Sequence, residues 1–248
     1  MGILLRKSTA ISAVAFVAFV ASCPLPFAGA RAAEQVPFVG CAGDGQTGPV
    51  AAPKGAPKAV AIDAAAARQL AFYQAPDSFG VLAPRGWKCF YLYGSSGATL
   101  LVAPSGNLQS MADSPLPLTG SAVVATLDLG GTSGRFAVAK YSARLFPKLE
   151  QAFIAGVIAE GIEPKENFPS GPYPADKLTY KNARLVEFET PANADGLGTS
   201  DQLQKNSLGI TGMATLKDTP DGPNFFLLTV RLPANQAALA PAIVSQAE

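Results

Sequence analysis

Proline and glycine recur so often along this chain that they cap the length of any regular element it can form. There are 21 prolines and 24 glycines in 248 residues. Proline lacks the amide hydrogen that helices and inner strands need, and glycine loses the most backbone freedom on ordering. A coiled coil is therefore disfavoured, and a loop-rich globular protein is expected. With 48% hydrophobic and only 15% charged residues, a chain of this length can still bury a substantial core.

The chain has no histidine. That removes Ser-His-Asp and Cys-His nucleophile pairs, imidazole acid-base chemistry and histidine-ligated metals together. No cofactor or metal site is expected.

The N-terminus reads as an export signal. Arg6 and Lys7 precede an uncharged Ala/Val/Phe-rich run over 8–22, and small residues follow at Ala28, Gly29, Ala30 and Ala32. The run is shorter than the ~20 residues a spanning helix needs, and Pro24 and Pro26 end it, so no transmembrane span is expected in the mature form. Residues 1–32 are assigned to this signal, with cleavage after Ala30 or Ala32. The alternative is a lipoprotein signal, because Val20-Ala21-Ser22-Cys23 fits the pattern in which the cysteine is lipidated and tethers the protein. Localisation is accordingly periplasmic or secreted, or membrane-tethered through Cys23. Loss of Arg6, Lys7 and Arg31 takes the 19 basic residues to 16 against 18 acidic ones. No basic stripe remains to hold a nucleic acid.

Under either reading Cys23 leaves the pool, and Cys41 and Cys89 remain in an oxidising compartment. A Cys41–Cys89 disulfide is expected. There is no C-x-x-C motif and no histidine to activate a thiolate.

Residues 33–60, with Pro37, Pro49, Pro53 and Pro57, read as an extended arm, and 61–248 as a single α+β domain. Gly43-Asp44-Gly45-Gln46-Thr47-Gly48 matches G-x-G-x-x-G, but Pro49 follows where a helix should begin, so dinucleotide binding is not expected. Asp63 is placed as the N-cap of a helix over 64–74 that ends before Pro76. A hairpin joins 88–93 to 98–103 through Gly94-Ser95-Ser96-Gly97, and the turn before it delivers the only tryptophan. Trp87 reads as core packing against the disulfide, and Trp87, Tyr91 and Tyr93 are the residues available as an alternative ligand contact.

Further along, Gly130-Gly131-Thr132-Ser133 predicts a second hairpin joining 121–129 to 134–141. Phe146, Leu149, Phe153 and Val157 recur at helical spacing, predicting a helix over 146–160 whose stripe faces a sheet. Strand 184–190 points Val186 and Phe188 inward and exposes Glu187 and Glu189, two carboxylates on one face, available for acid-base or metal chemistry or simply solvated. The loop 193–200 reads as a turn in which Thr199 or Ser200 caps a short helix over 201–206, with anion holding at the helix start as the alternative. Strands 213–216 and 225–232 follow, the latter apolar on both faces and hence central. Asn235 is placed as the cap of a helix over 236–246. Paired strands interspersed with helices predict an α+β fold, an antiparallel sheet with helices packed mainly on one face, with α/β as the alternative.

The segments Val39-Gly40-Cys41, Asp44-Gly45-Gln46 and Gly48-Pro49, with 80–84, Gly86-Trp87 and Cys89, resemble a group of uncharacterised exported proteins of Gram-negative bacteria. The resemblance covers about the first third of the mature chain. It implies that the arm and the Gly-Trp-x-Cys turn form one recurring unit, and it carries no activity with it. The expected function is a non-catalytic envelope or periplasmic module that is structural or interacts with a partner. The alternatives are a periplasmic small-ligand-binding protein or a hydrolase that needs no histidine.

Overall fold

Short strands dominate, as the spacing of proline and glycine requires. The computed structural model describes residues 2, 33–76, 79–112 and 117–247. The export signal and the lipid-anchor alternative at Cys23 lie outside the described residues. The strands of the N-terminal half are β1 (Glu34–Val36), β2 (Phe38–Gly40), β3 (Gly43–Gly45), β4 (Lys58–Val60), β5 (Leu70–Gln74), β6 (Gly80–Pro84), β7 (Lys88–Gly94) and β8 (Gly97–Ala103). Those that follow are β9 (Ala122–Asp128), β10 (Lys177–Asn182), β11 (Leu185–Thr190), β12 (Ile210–Lys217) and β13 (Asn224–Arg231). Four helices accompany them, α1 (Ala64–Ala67), α2 (Arg135–Leu145), α3 (Gln151–Ala159) and α4 (Ala240–Ser245).

The fold is α+β. Its main sheet has eight strands in the order β10-β11-β12-β13-β9-β8-β7-β3, all antiparallel except the pairing of β3 with β7. Strand β13 is central because it is apolar on both sides. Leu228, Val230 and Leu232 join the core on one face, and Phe225 and Leu227 join the core on the other. The first face is covered by the three-stranded sheet β2-β5-β6, the β1-β4 pair, α1 and α4. On the second face α2 packs on β9 and β13, and α3 packs on α2.

Four expected elements differ here: two segments exchange helix and strand, and two boundaries are set by a proline. Asp63 does cap α1, accepting the Ala66 amide at 2.8 Å, but the helix stops at Ala67 and 70–74 form β5. Strand β5 pairs parallel with β2 and antiparallel with β6, and it buries Leu70 and Tyr73 completely. That pairing exceeds alanine's helix advantage of a few tenths of a kcal/mol per residue. Similarly, the 130–133 turn leads into α2 rather than a second hairpin strand. The Thr132 hydroxyl donates to the Leu129 carbonyl and the Arg135 amide to the Thr132 carbonyl, bending the chain so that Val138, Ser142 and Leu145 are buried at helical spacing.

The helix expected over 146–160 is two helices. Pro147 disfavours helical geometry at Phe146, whose φ and ψ are −132° and 41°, so α2 ends there and α3 begins at Gln151. In the apolar stripe, Val157 packs on Ala139 and Phe168, Phe153 also reaches the core of the sheet's second face, and Leu149 is left 41% exposed. At the C-terminus a 3-10 turn over Ala234–Leu239 precedes α4, and no side chain caps it, Asn235 included. The start follows from Pro233, whose preset backbone leads into the turn without a side-chain acceptor.

Candidate functional site

Val186 and Phe188 on β11 are buried, and Glu187 and Glu189 point away from that core toward an open groove of about 580 Å³ beside α4. The antiparallel register sets Lys177 opposite Glu189 and Thr179 opposite Glu187. Lys177 pairs with Glu189 at 2.8 Å and Lys181 with Glu187 at 3.0 Å. Both carboxylates are thereby engaged in a cross-strand ladder on a solvated face.

Cys41 and Cys89 form a disulfide with Cα atoms 5.4 Å apart. It joins the link between β2 and β3 to the start of β7. Around it the Cys41 amide donates to the Gln74 carbonyl at 2.9 Å and the Tyr91 amide to the Ala42 carbonyl at 3.0 Å, so the chain passes from the small sheet to the edge of the large one. The segment expected as an arm is extended and supplies β1 to β4, with Val36 and Cys41 fully buried. Gly43 and Gly45, the first glycines of the G-x-G-x-x-G match, lie so close to β7 that a Cβ would collide with the Tyr91 and Tyr93 carbonyls. Their role is close backbone approach.

The three aromatic candidates occupy different surroundings. Trp87 is partly buried against the first-face core, its amide donating to the Tyr73 hydroxyl at 3.1 Å. Tyr91 is buried and stacks on Tyr93, with ring centroids 5.5 Å apart. The Tyr93 hydroxyl donates to the Gly48 carbonyl and lies 3.0 Å from the Thr47 hydroxyl. Tyr93 alone of the three borders one of the described cavities.

That cavity, of about 320 Å³, is lined in part by Asp44, Tyr93, Thr99, Thr126, Asp128 and Gln202. Asp128 ends β9, and Asp201 follows a 3-10 turn at Leu197–Thr199. Asp201 accepts from the Thr126 hydroxyl at 2.9 Å and from the Gln202 side chain at 3.0 Å. Burial, and then the Asp201 charge, push the Asp128 carboxyl up to about 7. Burial also raises Asp201, against the Thr126 and Gln202 hydrogen bonds that favour its charged form. Tyr141 stacks on Phe225 with centroids 4.7 Å apart, and burial and the Asp201 charge raise its hydroxyl pKa. The arrangement can hold or release a proton near neutrality. Among the described residues, no three His, Cys, Asp or Glu side chains gather to hold a metal.

The 193–200 loop does not hold an anion through its amides, because an acid already uses them. Asp176 accepts the Leu197 amide and the Thr190 hydroxyl, each at 2.7 Å, while Gly196 donates to Thr199 at 2.9 Å. Residues 201–206 are extended rather than helical. Leu203 pairs with Leu118, and buried Arg231 donates to the Gly120 and Leu118 carbonyls at 2.7 Å each and to that of Gln204. Three main-chain acceptors thus stand in for a counter-ion and hold the segment straight. Sequence reasoning missed the Asp128–Asp201 pair. Alternation along β9 puts Asp128 on the face of buried Val124 and Thr126, a legible signal for the first acid, whereas Asp201 arrives from a loop 73 residues later.

No protein-family model, curated protein or solved structure matches the chain.

Proposed function

We propose that the chain is exported to an oxidising compartment and acts there as a non-catalytic envelope module. The observation that carries this reading is the Cys41–Cys89 disulfide, since such bonds persist outside the reducing cytosol. It ties the proline- and glycine-rich segment to the start of β7. Two further facts support the reading. No described helix is long and apolar enough to cross a membrane, and two carboxylates bordering the open groove, Glu187 and Glu189, are paired with lysines.

Expression with the native N-terminus, cell fractionation and alkylation without reductant test it. The expected product starts at Arg31 or Ala33, resides in the periplasmic or secreted fraction and has no free thiol at Cys41 or Cys89. A start at lipidated Cys23 would assign the tethered form, and intact Met1 with two reactive thiols in the cytosol would overturn export. Turnover of chromogenic ester, amide or phosphoester substrates that is abolished by Asp128→Asn would overturn the non-catalytic reading.

A further inference from the structure

We infer that the cavity between α2 and the 167–173 loop binds a small organic carboxylate through Arg144. This site goes beyond the export reading and stands or falls independently of it. The cavity encloses about 290 Å³ and is bordered by Lys140, Tyr141, Arg144, Asn167, Tyr173 and Ser200, with Ala137 and Pro169 completing its wall. Two cations and no acid line it.

The two cations differ. Lys140 pairs with Glu163 at 2.7 Å, so its charge is already balanced. Arg144 is half-buried, with its guanidinium 3.8 Å from the centre of the Tyr173 ring. One N–H reaches the Gly171 carbonyl at 3.3 Å, and among the described residues no carboxylate pairs with Arg144. Three other arginines are committed. Arg135 pairs with Glu160 at 2.6 Å, Arg184 with Asp218 at 2.6 Å, and Arg231 donates to three main-chain carbonyls. A basic residue in the last turn of a helix does suit the helix dipole. That role requires neither the cavity nor the aromatic platform.

Ligand class follows from the unspent charge and the shape. One uncompensated positive charge calls for one negative group. A guanidinium offers two parallel N–H donors that match a carboxylate, and stacking on Tyr173 restricts the fork in advance, reducing the ordering cost of binding. The Tyr173 ring, Ala137 and Pro169 give the rest of the cavity an apolar side, which suits a short hydrocarbon or aromatic body. At ~30 Å³ per water, the space holds roughly ten waters, room enough for a monocarboxylate such as butyrate or benzoate and too small for a folded partner.

Calorimetric titration of the purified protein with butyrate, benzoate and inorganic phosphate tests the site. The expected result is saturable one-to-one binding of at least one carboxylate, more tightly than phosphate. Arg144→Gln should weaken it roughly ten- to hundred-fold, the range for a lost charged hydrogen-bond pair. Arg144→Lys, which keeps the charge but not the fork, should weaken it by a similar factor. Tyr173→Leu leaves Arg144 in place and should weaken binding several-fold, providing a test if the Arg144 variants unfold. Absence of saturable carboxylate binding, equal affinity in Arg144→Gln or Tyr173→Leu, or preference for phosphate would overturn the inference.

Discussion

The large sheet carries two pairs of carboxylates whose surroundings are opposite. On β11, Glu187 and Glu189 face the groove beside α4, and each has a lysine of β10 within 3.0 Å. At the end of β9, Asp128 borders a cavity and feels the charge of buried Asp201, and among the described residues no basic side chain pairs with either. The first pair comes from strand register, which repeats every two residues and places charge against charge across an edge. The second comes from a loop docked on a strand, held by Asp176 and Arg231. Local pattern makes neutral surfaces, whereas docking of remote segments leaves acids in an environment that alters their chemistry.

The same contrast extends to how the two edges of the sheet are secured. Edge strand β3 is fixed by a disulfide and by tyrosines packed over its glycines. Edge strand β10 is exposed, and it is guarded by Lys177, Lys181 and a register shift between Tyr180 and Asn182, the usual protections against strand addition.

The largest effect should come from the disulfide. Cys89→Ser, or reduction, should cost about 2–4 kcal/mol and lower the unfolding midpoint by about 2–4 °C for each kcal/mol. Trp87 fluorescence should change with it, because Cys89 at the start of β7 is two residues from the tryptophan. An unchanged melting temperature in the reduced protein would mean that β3 is held by packing alone, and the contrast between the edges would disappear.

Next in size is the pH dependence created by Asp128. Its folded-state pKa of about 7 lies above the unfolded value of ~3.9. Between these values the folded state keeps a proton that the unfolded state has released, so stability falls as pH rises from 4 to 7 and levels off above. Asp128→Asn should leave stability unchanged near pH 4 and raise it near pH 8, by about 1–2 kcal/mol after allowance for partial solvent access. Denaturant melts at the two pH values measure this difference. Equal effects at both would show that the carboxyl titrates normally.

The smallest effect belongs to the ladder. Lys177→Ala and Lys181→Ala should each cost less than about 0.5 kcal/mol, as exposed ion pairs do, and 0.5 M salt should abolish the difference from the parent. A loss above about 1 kcal/mol would move the β11 carboxylates into the same category as Asp128.

Much of the layout was readable from residue order. The 88–103 hairpin, the central position of β13, the inward faces of Val186 and Phe188 and the Cys41–Cys89 bridge all follow from alternation, turn residues and cysteine count. The candidate sites were less so. Glu187 and Glu189 could be found by alternation because they are two residues apart, but nothing in sequence brings Asp201 to Asp128 or encloses Arg144 between α2 and Tyr173.

By itself the sequence determined the face on which each strand residue lies and the places where elements stop, because side-chain periodicity and the backbone limits of proline and glycine act over two to four residues. Only the tertiary structure decided whether 70–74 and 135–141 became strand or helix, because short apolar segments satisfy both periods and the available neighbouring edge selects between them. It also decided which charges lost water, since burial depends on all segments that meet at a point and not on the one that carries the charge.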